Sequence, residues 1–305
     1  MSPKKLNGLI AAPFTALNSD GTLNLLAIEA QAHSLVASGV KGAFICGTTG
    51  EGASLTTAER MAVATRWCEL AGSDLRVIVH VGHTALGESQ ALAAHAQKIG
   101  ASGLSNFAPF FFKPANTSDL VDFCAAVAAS APALPYYYYH IPSMTGVSLA
   151  AADFLRAAQA KIPNLAGVKF TYENLMDFAE CARLDDGRYD IVFGRDEMLL
   201  SGMAAGAMGA IGSTYNFAAP TYLRLIKAFS EGDLASAQAH QARANSMISV
   251  LLRFGGLIAG KAIMKMIGLD CGPARLPLRS LSDSKAKELR SELESVGFFD
   301  FCSVL

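Results

Sequence analysis

The sequence has few charged residues. It lacks the basic clusters of nucleic-acid-binding proteins and the cysteine pairs of disulfide-rich or zinc-binding proteins. Only 17% of its 305 residues are charged, and the formal net charge is −1. Nucleic-acid binding is not expected, because it requires clustered Lys and Arg. The six cysteines form no CxxC pair, which argues against a disulfide framework or a zinc site and predicts reduced thiols in a cytoplasmic protein.

Long apolar runs and common cofactor motifs are missing as well. No stretch of about 18 unbroken apolar residues occurs, so no membrane span is expected. The opening MSPKKLNGLIAAPF has too short an apolar run, interrupted by Asn7, for a signal peptide. HExxH and GxxxxGK[ST] are absent, and His80 and His83 have no third ligand nearby, so neither a metal nor a P-loop nucleotide site is expected.

Short and long apolar segments alternate along the chain, and hydrophobic residues make up 51% of it. Eight short runs, apolar on both faces, are interpreted as covered strands; they begin at Leu6, Gly42, Arg76, Gly103, Leu134, Leu165, Tyr189 and Gly206. Amphipathic helical segments separate them at a repeat of about 25–35 residues, the size of one βα step. Eight steps end near Glu231, which predicts an α/β fold, a (β/α)8 TIM barrel over residues 1–231.

The remainder, residues 232–305, has no strand signal and predicts a C-terminal extension of three helices. The proline-rich GPARLPL separates the last two helices. We expect the extension to pack on the barrel or on a partner subunit. The methionine-rich GKAIMKMIG is interpreted as helix packing, with Lys261 and Lys265 solvated.

A lysine stands inside the sixth predicted strand, in GVKFT. Active sites of such barrels lie at the C-terminal ends of the strands, where Lys169 would be. A covered strand leaves little room to reach solvent, so Lys169 is either paired or has a lowered pKa, since burial can lower a lysine pKa by ~3–5 units. A neutral amine is a nucleophile that forms Schiff bases with carbonyl groups.

Four tyrosines in YYYYHIP end the fifth strand, which Pro142 terminates. Alternation places Tyr137 and Tyr139 on one face and Tyr136 and Tyr138 on the other. Tyr139 precedes Lys169 by thirty residues, one βα step, so the two should lie on adjacent strands at similar height. A phenol beside a Schiff-base lysine can shuttle a proton.

Other strand ends also carry polar groups. CGTTGEG, after the second strand, predicts either an anion site built from backbone N–H groups and two threonines or a simple loop with a helix cap. The adjacent carboxylates of GRDE could cap a helix or bind the hydroxyls of a polyol.

Taken together, GLIAAPFT, GTTGEGASLT, YYYYHIPSMTGV, GVKF, GRDE, GSTYN and GPARLPL resemble, nearly end to end, the dihydrodipicolinate synthase/N-acetylneuraminate lyase family of class I pyruvate aldolases. The resemblance implies a barrel with a C-terminal helical domain, usually a homotetramer, that needs no cofactor. It implies that Lys169 is the Schiff-base lysine, that Tyr139 transfers protons, and that Thr48 and Thr49 hold the pyruvate carboxylate. The residues implied to contact the sugar chain are Thr171, Gly194, Asp196, Glu197 and Ser213.

Within this family, Met144 replaces the arginine that dihydrodipicolinate synthases use to bind a second carboxylate. The resemblance therefore implies reversible cleavage of the sialic acid N-acetylneuraminate to N-acetylmannosamine and pyruvate. Two alternatives remain: a 2-keto-3-deoxy sugar acid aldolase or dehydratase, and a non-catalytic pyruvate or sugar-acid binding protein. One departure concerns Phe110, Phe111 and Phe112, since many relatives place there a tyrosine that continues a hydroxyl relay beyond Thr48.

Overall fold

Eight parallel strands form a closed barrel in the computed structural model, which describes residues 5–303. The strands are β1 Gly8–Ala11, β2 Gly42–Ile45, β3 Arg76–His80, β4 Gly103–Phe107, β5 Tyr136–His140, β6 Leu165–Phe170, β7 Asp190–Phe193 and β8 Gly209–Gly212. Each strand pairs with the next in the chain, and β8 closes the barrel by pairing with β1 from Gly8↔Gly209 to Ala11↔Gly212. The predicted TIM barrel is confirmed.

Helices surround the barrel and continue past its last strand. They are α1 Ala27–Ala37, α2 Thr57–Ala71, α3 Leu86–Lys98, α4 Thr117–Ala128, α5 Pro142–Thr145, α6 Ala151–Ala158, α7 Leu175–Arg183, α8 Leu199–Ala204, α9 Tyr215–Ser230, α10 Leu234–Arg253, α11 Leu257–Met266 and α12 Asp283–Ser295. Helix α2 begins with a capping box, in which the Thr56 side chain accepts from Glu59 N and the Glu59 carboxylate accepts from Thr56 N.

The C-terminal extension consists of α10, α11 and α12, and α10 packs against the last barrel helix, α9. The three helices lie where the sequence placed them, whereas the division into domains at residue 231 stays a prediction. Residues 1–4, part of the segment for which no signal peptide is expected, and residues 304–305 at the end of the extension lie outside the described residues.

Strand alternation divides the core into two layers. One lies inside the barrel and contains Tyr137 and Tyr139, while Tyr136 and Tyr138 belong to the larger layer between the strands and the helices. In that outer layer the ring of Tyr138 lies 4.4 Å from the ring of Phe154. The predicted split of the four tyrosines is therefore correct, since successive side chains of a strand point to opposite faces.

The N-terminal end of the barrel is closed by a buried carboxylate. Asp190 Oδ2 accepts hydrogen bonds from Leu6 N at 2.7 Å and from the Tyr137 hydroxyl at 3.0 Å. Burial raises the pKa of Asp190, although these two donors oppose the rise. Tyr137 thus stabilises the end of the barrel opposite the predicted site.

Within residues 5–303 no single helix is long and apolar enough to span a membrane. Helices α10 and α11 together have the length and apolar composition of a span, but they are bent by 114° relative to each other.

The close packing of Gly167 on β6 against β7 predicts a strong effect of one added methyl group. A Cβ on Gly167 would lie 1.8 Å from the carbonyl oxygen of Asp190. Gly167→Ala should therefore lower the free energy of unfolding by about 1–3 kcal/mol or more. Chemical denaturation measures the change.

Gly87→Ala is the matched control, because nothing lies within 4 Å of its added Cβ and the residue is helical. It should be neutral or stabilising by up to about 1 kcal/mol. Equal effects of the two variants would contradict the predicted backbone clash.

Candidate active site

The polar residues singled out in the sequence gather at one end of the barrel. All eight strands run in parallel, so their C-terminal ends open on the same face. Thr171 directly follows β6, Gly194 follows β7 and Ser213 follows β8. Thr48 and Thr49 lie in the loop after β2, and all five residues are half-buried.

Lys169 is buried near the end of β6, with 4% of its surface exposed. Its Nζ lies 3.8 Å from the centroid of the Phe44 ring and 4.0 Å from that of the Tyr139 ring. Burial lowers the pKa of Lys169 to about 7, because the ammonium loses its hydration, while the charge of Asp196 opposes the shift. A substantial fraction of this amine is therefore neutral near pH 7, as a nucleophile requires.

Tyr139 is the register partner of Lys169 on the neighbouring strand. Its hydroxyl lies 3.5 Å from Thr48 Oγ1. Burial raises the pKa of Tyr139, and the hydroxyls of Thr48 and Thr171 oppose the rise. Thr171 Oγ1 lies near the Tyr139 hydroxyl and is buried, but it makes no well-directed hydrogen bond to any of the described residues. The Tyr139 phenol stays protonated and has hydroxyls beside it, an arrangement suited to proton transfer.

Aromatic rings surround this pair, and the sequence patterns described above do not predict them. The rings of Phe44 and His80 lie 5.5 and 5.7 Å from the ring of Tyr139, both edge-on, and Phe107 lies 4.5 Å from His80. Burial lowers the pKa of His80 well below its usual value, which keeps it uncharged. Alternation along RVIVH could have placed His80 on the inner face together with Ile78.

His80 has a structural partner of its own, since its Nδ1 lies 3.1 Å from the carbonyl oxygen of Cys46. Within residues 5–303 no group of three or more His, Cys, Asp or Glu side chains could hold a metal ion.

Asp196 is buried and fixed by the residue that follows Ser213. Its Oδ2 accepts hydrogen bonds from Thr214 N at 2.9 Å and from Thr214 Oγ1 at 2.7 Å. Burial raises the pKa of Asp196 to about 6, which the Thr214 bonds and the charge of Lys169 oppose. Close packing holds the carboxylate in place, because a Cβ on Gly212 would lie 1.9 Å from Asp196 Oδ1.

Glu197 lies half-buried at the rim and belongs to a small charged group. Arg195 Nη1 lies 3.2 Å from Glu197 Oε1, and Arg195 Nη2 forms an ion pair with Glu173. The side chain of Arg195 is 23% exposed. One guanidinium therefore holds carboxylates that follow two neighbouring strands, β6 and β7.

Lys261 differs from its prediction. It was expected to be solvated, but its side chain is 4% exposed and its Nζ lies 2.7 Å from Oε1 of the buried Glu51. Lys265, one turn later in α11, is solvated as predicted, with 71% of its side chain exposed. Helical periodicity could not distinguish the two, because the partner of Lys261 comes from the distant β2 loop.

The chain is similar to known proteins over nearly its full length. Residues 5–296 match the model of the Dihydrodipicolinate synthetase family. The chain belongs to this family. Among its relatives, N-acetylneuraminate lyase of Rattus norvegicus is 43% identical over 303 residues, covering 98% of this chain and 95% of that protein.

Solved structures give the same family relationship. Proteus mirabilis N-acetylneuraminate lyase superposes with a TM-score of 0.94 at 41% identity, covering 97% of this chain and 100% of that one. A Ruminococcus gnavus sialic acid aldolase, described as a catalytic lysine mutant, superposes with a TM-score of 0.89 at 28% identity, covering 97% of both chains.

The environment of Lys169 predicts an unusual titration. Competitive acetylation at a series of pH values, followed by peptide mass spectrometry, should show Lys169 becoming reactive as the pH rises through about 7. Asp196→Asn removes a charge that raises this pKa, so the midpoint should move lower. The reason is that the ammonium loses an opposite charge that favours it.

Lys265 is the internal control, since its contact with Asp270 raises its pKa above the ordinary lysine value. If Lys169 titrated together with Lys265 in the unsubstituted protein, its burial would have no effect on the amine.

Proposed function

We propose that this protein is a Schiff-base aldolase that reversibly cleaves N-acetylneuraminate to N-acetylmannosamine and pyruvate. The observation that carries the proposal is the buried Lys169, with a pKa lowered to about 7, in contact with the Tyr139 ring. Family membership and the names of the relatives, N-acetylneuraminate lyases at 41–43% identity, support the same reaction.

In this mechanism the Lys169 amine attacks the C2 ketone of the open-chain sugar acid, and water leaves to give a protonated imine. The imine accepts the electron pair of the C3–C4 bond as that bond breaks. Tyr139 takes the proton of the C4 hydroxyl and passes its own to the substrate carboxylate, so that N-acetylmannosamine leaves as the aldehyde. The resulting enamine takes up at C3 the proton held on the carboxyl group, and addition of one water to the imine releases pyruvate and the free Lys169 amine. The lysine itself provides the electron sink, so no cofactor is required.

The other proposed roles follow the position of each residue around the mouth of the barrel. Thr48, Thr49 and backbone N–H groups of their loop hold the pyruvate carboxylate and so orient the reacting carbon. The residues proposed to contact the sugar chain are Thr171, Gly194, Asp196, Glu197 and Ser213. Asp196 and Glu197 are hydrogen-bond acceptors of the kind that a polyhydroxy chain requires.

The proposal includes a homotetramer in the cytoplasm. Apolar side chains stand exposed at the rim of the site, with Phe111 and Phe112 exposed by 75% and 86%. Such an apolar patch is suited to contact with another copy of the chain. The six cysteines are all free thiols, which fits a reducing compartment.

Borohydride trapping combined with a substrate panel tests the proposed function. Incubation with pyruvate and borohydride should leave a reduced adduct on Lys169, detected by mass spectrometry, and Lys169→Met should abolish it. Turnover should be faster on N-acetylneuraminate than on 2-keto-3-deoxygluconate. A missing adduct would point to a non-catalytic binding protein, and a preference for the shorter acid would assign the other aldolase activity.

Removing the Tyr139 hydroxyl should separate imine formation from cleavage. In Tyr139→Phe the pyruvate adduct should still form, while cleavage falls about 100-fold or more, because the acid–base group is lost. Steady-state turnover and borohydride trapping measure the two steps.

Tyr137→Phe is the matched control inside the same barrel. It removes a hydroxyl that donates to Asp190 at the opposite end, so it should reduce stability without a comparable loss of kcat. Equal losses of kcat in both variants would indicate that the Tyr139 hydroxyl is structural.

A further inference from the structure

A buried ion pair joins the C-terminal extension to the loop after β2. Lys261, on α11, lies with its Nζ 2.7 Å from Glu51 Oε1, and the two side chains are 4% and 1% exposed. Within the described chain, Glu51 Oε1 receives no well-directed hydrogen bond, so the ammonium charge is its main compensation. A buried carboxylate without such compensation is strongly unfavourable.

Both members of the pair are also attached to the segment that follows α11. The Lys261 ammonium donates to the carbonyl oxygen of Pro273 at 2.6 Å, and Glu51 Oε2 accepts from Arg275 N at 2.8 Å. The Arg275 guanidinium in turn binds Glu59, at the start of α2, and the carbonyl oxygen of Ser54. The second half of the loop after β2 is therefore held by one segment of the extension.

Backbone hydrogen bonds connect Glu51 to Thr48 and brace the turn between them. Glu51 has a left-handed conformation, with φ of 52°, which is unfavourable for a residue other than glycine. Its N–H donates to the carbonyl oxygen of Thr48 at 3.1 Å, and Gly52 N donates to Gly47 O at 3.0 Å. A Cβ on Gly52 would lie 1.9 Å from the carbonyl oxygen of Cys46, so the turn has little room to shift.

We propose that Glu51 and Lys261 are positioning residues, which fix Thr48 and Thr49 in place to receive the carboxylate of the substrate. This inference rests on the function proposed above. The pair acts by geometry, because Glu51 is hydrogen-bonded to Thr48 through the backbone. It also acts by charge, because without Lys261 the loop that receives an anion would carry the uncompensated negative charge of Glu51. Buried ion pairs are often no more stabilising than apolar replacements, so a role in fixing geometry accounts better for this one.

Titration of the borohydride-trapped pyruvate adduct tests the inference. In Glu51→Gln and Lys261→Met the pyruvate concentration that gives half-maximal adduct should rise about 10-fold or more, because a small displacement of a positioning group has effects of this size. Lys261→Met should show the larger rise. The adduct yield at saturating pyruvate should be unchanged, since Lys169 lies on a different strand, and this split between affinity and yield separates positioning from a general loss of folded protein.

The double variant Glu51→Gln/Lys261→Met removes both charges, so its melting temperature should be higher than that of Lys261→Met. Its half-maximal adduct should still require more pyruvate than that of the unsubstituted protein. Lys265→Met, on the same helix, removes an exposed lysine and should leave the titration unchanged. A folded double variant with ordinary pyruvate affinity would overturn the inference. Failure of the double variant to fold would equally overturn it, by showing that the pair is required for the fold itself.

The two proposals fail in different ways. An adduct in the unsubstituted protein without turnover of N-acetylneuraminate would remove the sugar assignment and leave the positioning role intact. An unsubstituted protein that forms no pyruvate adduct would remove both.

Discussion

The proposed active site depends on the exclusion of water from one amine. Lys169 is the residue on which the proposed chemistry relies, and its pKa is lowered to about 7 because the barrel interior withholds solvent from the ammonium. The rings of Phe44 and Tyr139 lie against it and leave 4% of the residue exposed. In a shallower or more open position the ammonium would be hydrated, and the pKa of Lys169 would rise toward that of an ordinary lysine. The amine would then be mostly protonated and unreactive.

Several features of the fold meet that requirement. A closed parallel barrel excludes water from its centre and places its open loops at a single end. Parallel register then sets Tyr139 beside Lys169 without any contribution from the loops. Asp196 limits the shift, since its carboxylate favours the protonated lysine while its own pKa is raised to about 6 by the same burial. The site is thus balanced between two buried groups whose charges stabilise each other.

Much of this arrangement could be predicted from the sequence because it depends on local regularities. Alternation along YYYYH separates Tyr139 from Tyr138, and the spacing of one βα step brings it to Lys169. Side chains whose surroundings come from distant segments have no such local signal. The sequence shows only that His80 has no third metal ligand nearby, and it is the closed barrel that places its ring beside Tyr139. Lys261 was predicted to be solvated because a helical pattern cannot reveal a carboxylate 210 residues earlier in the chain.

Lys261 belongs to a group of contacts that supports the loop after β2 and that the barrel strands alone do not provide. The strands hold Lys169 and Tyr139 rigidly, but the threonines lie in a loop, and loops are the more mobile parts of such folds. Here the loop after β2 is held by backbone hydrogen bonds, by a buried carboxylate and by the segment after α11. The extension therefore stabilises the part of the site that the strands do not reach. Because Pro273 and Arg275 both contribute, the order of the proposed carboxylate site depends on the fold of the C-terminal extension.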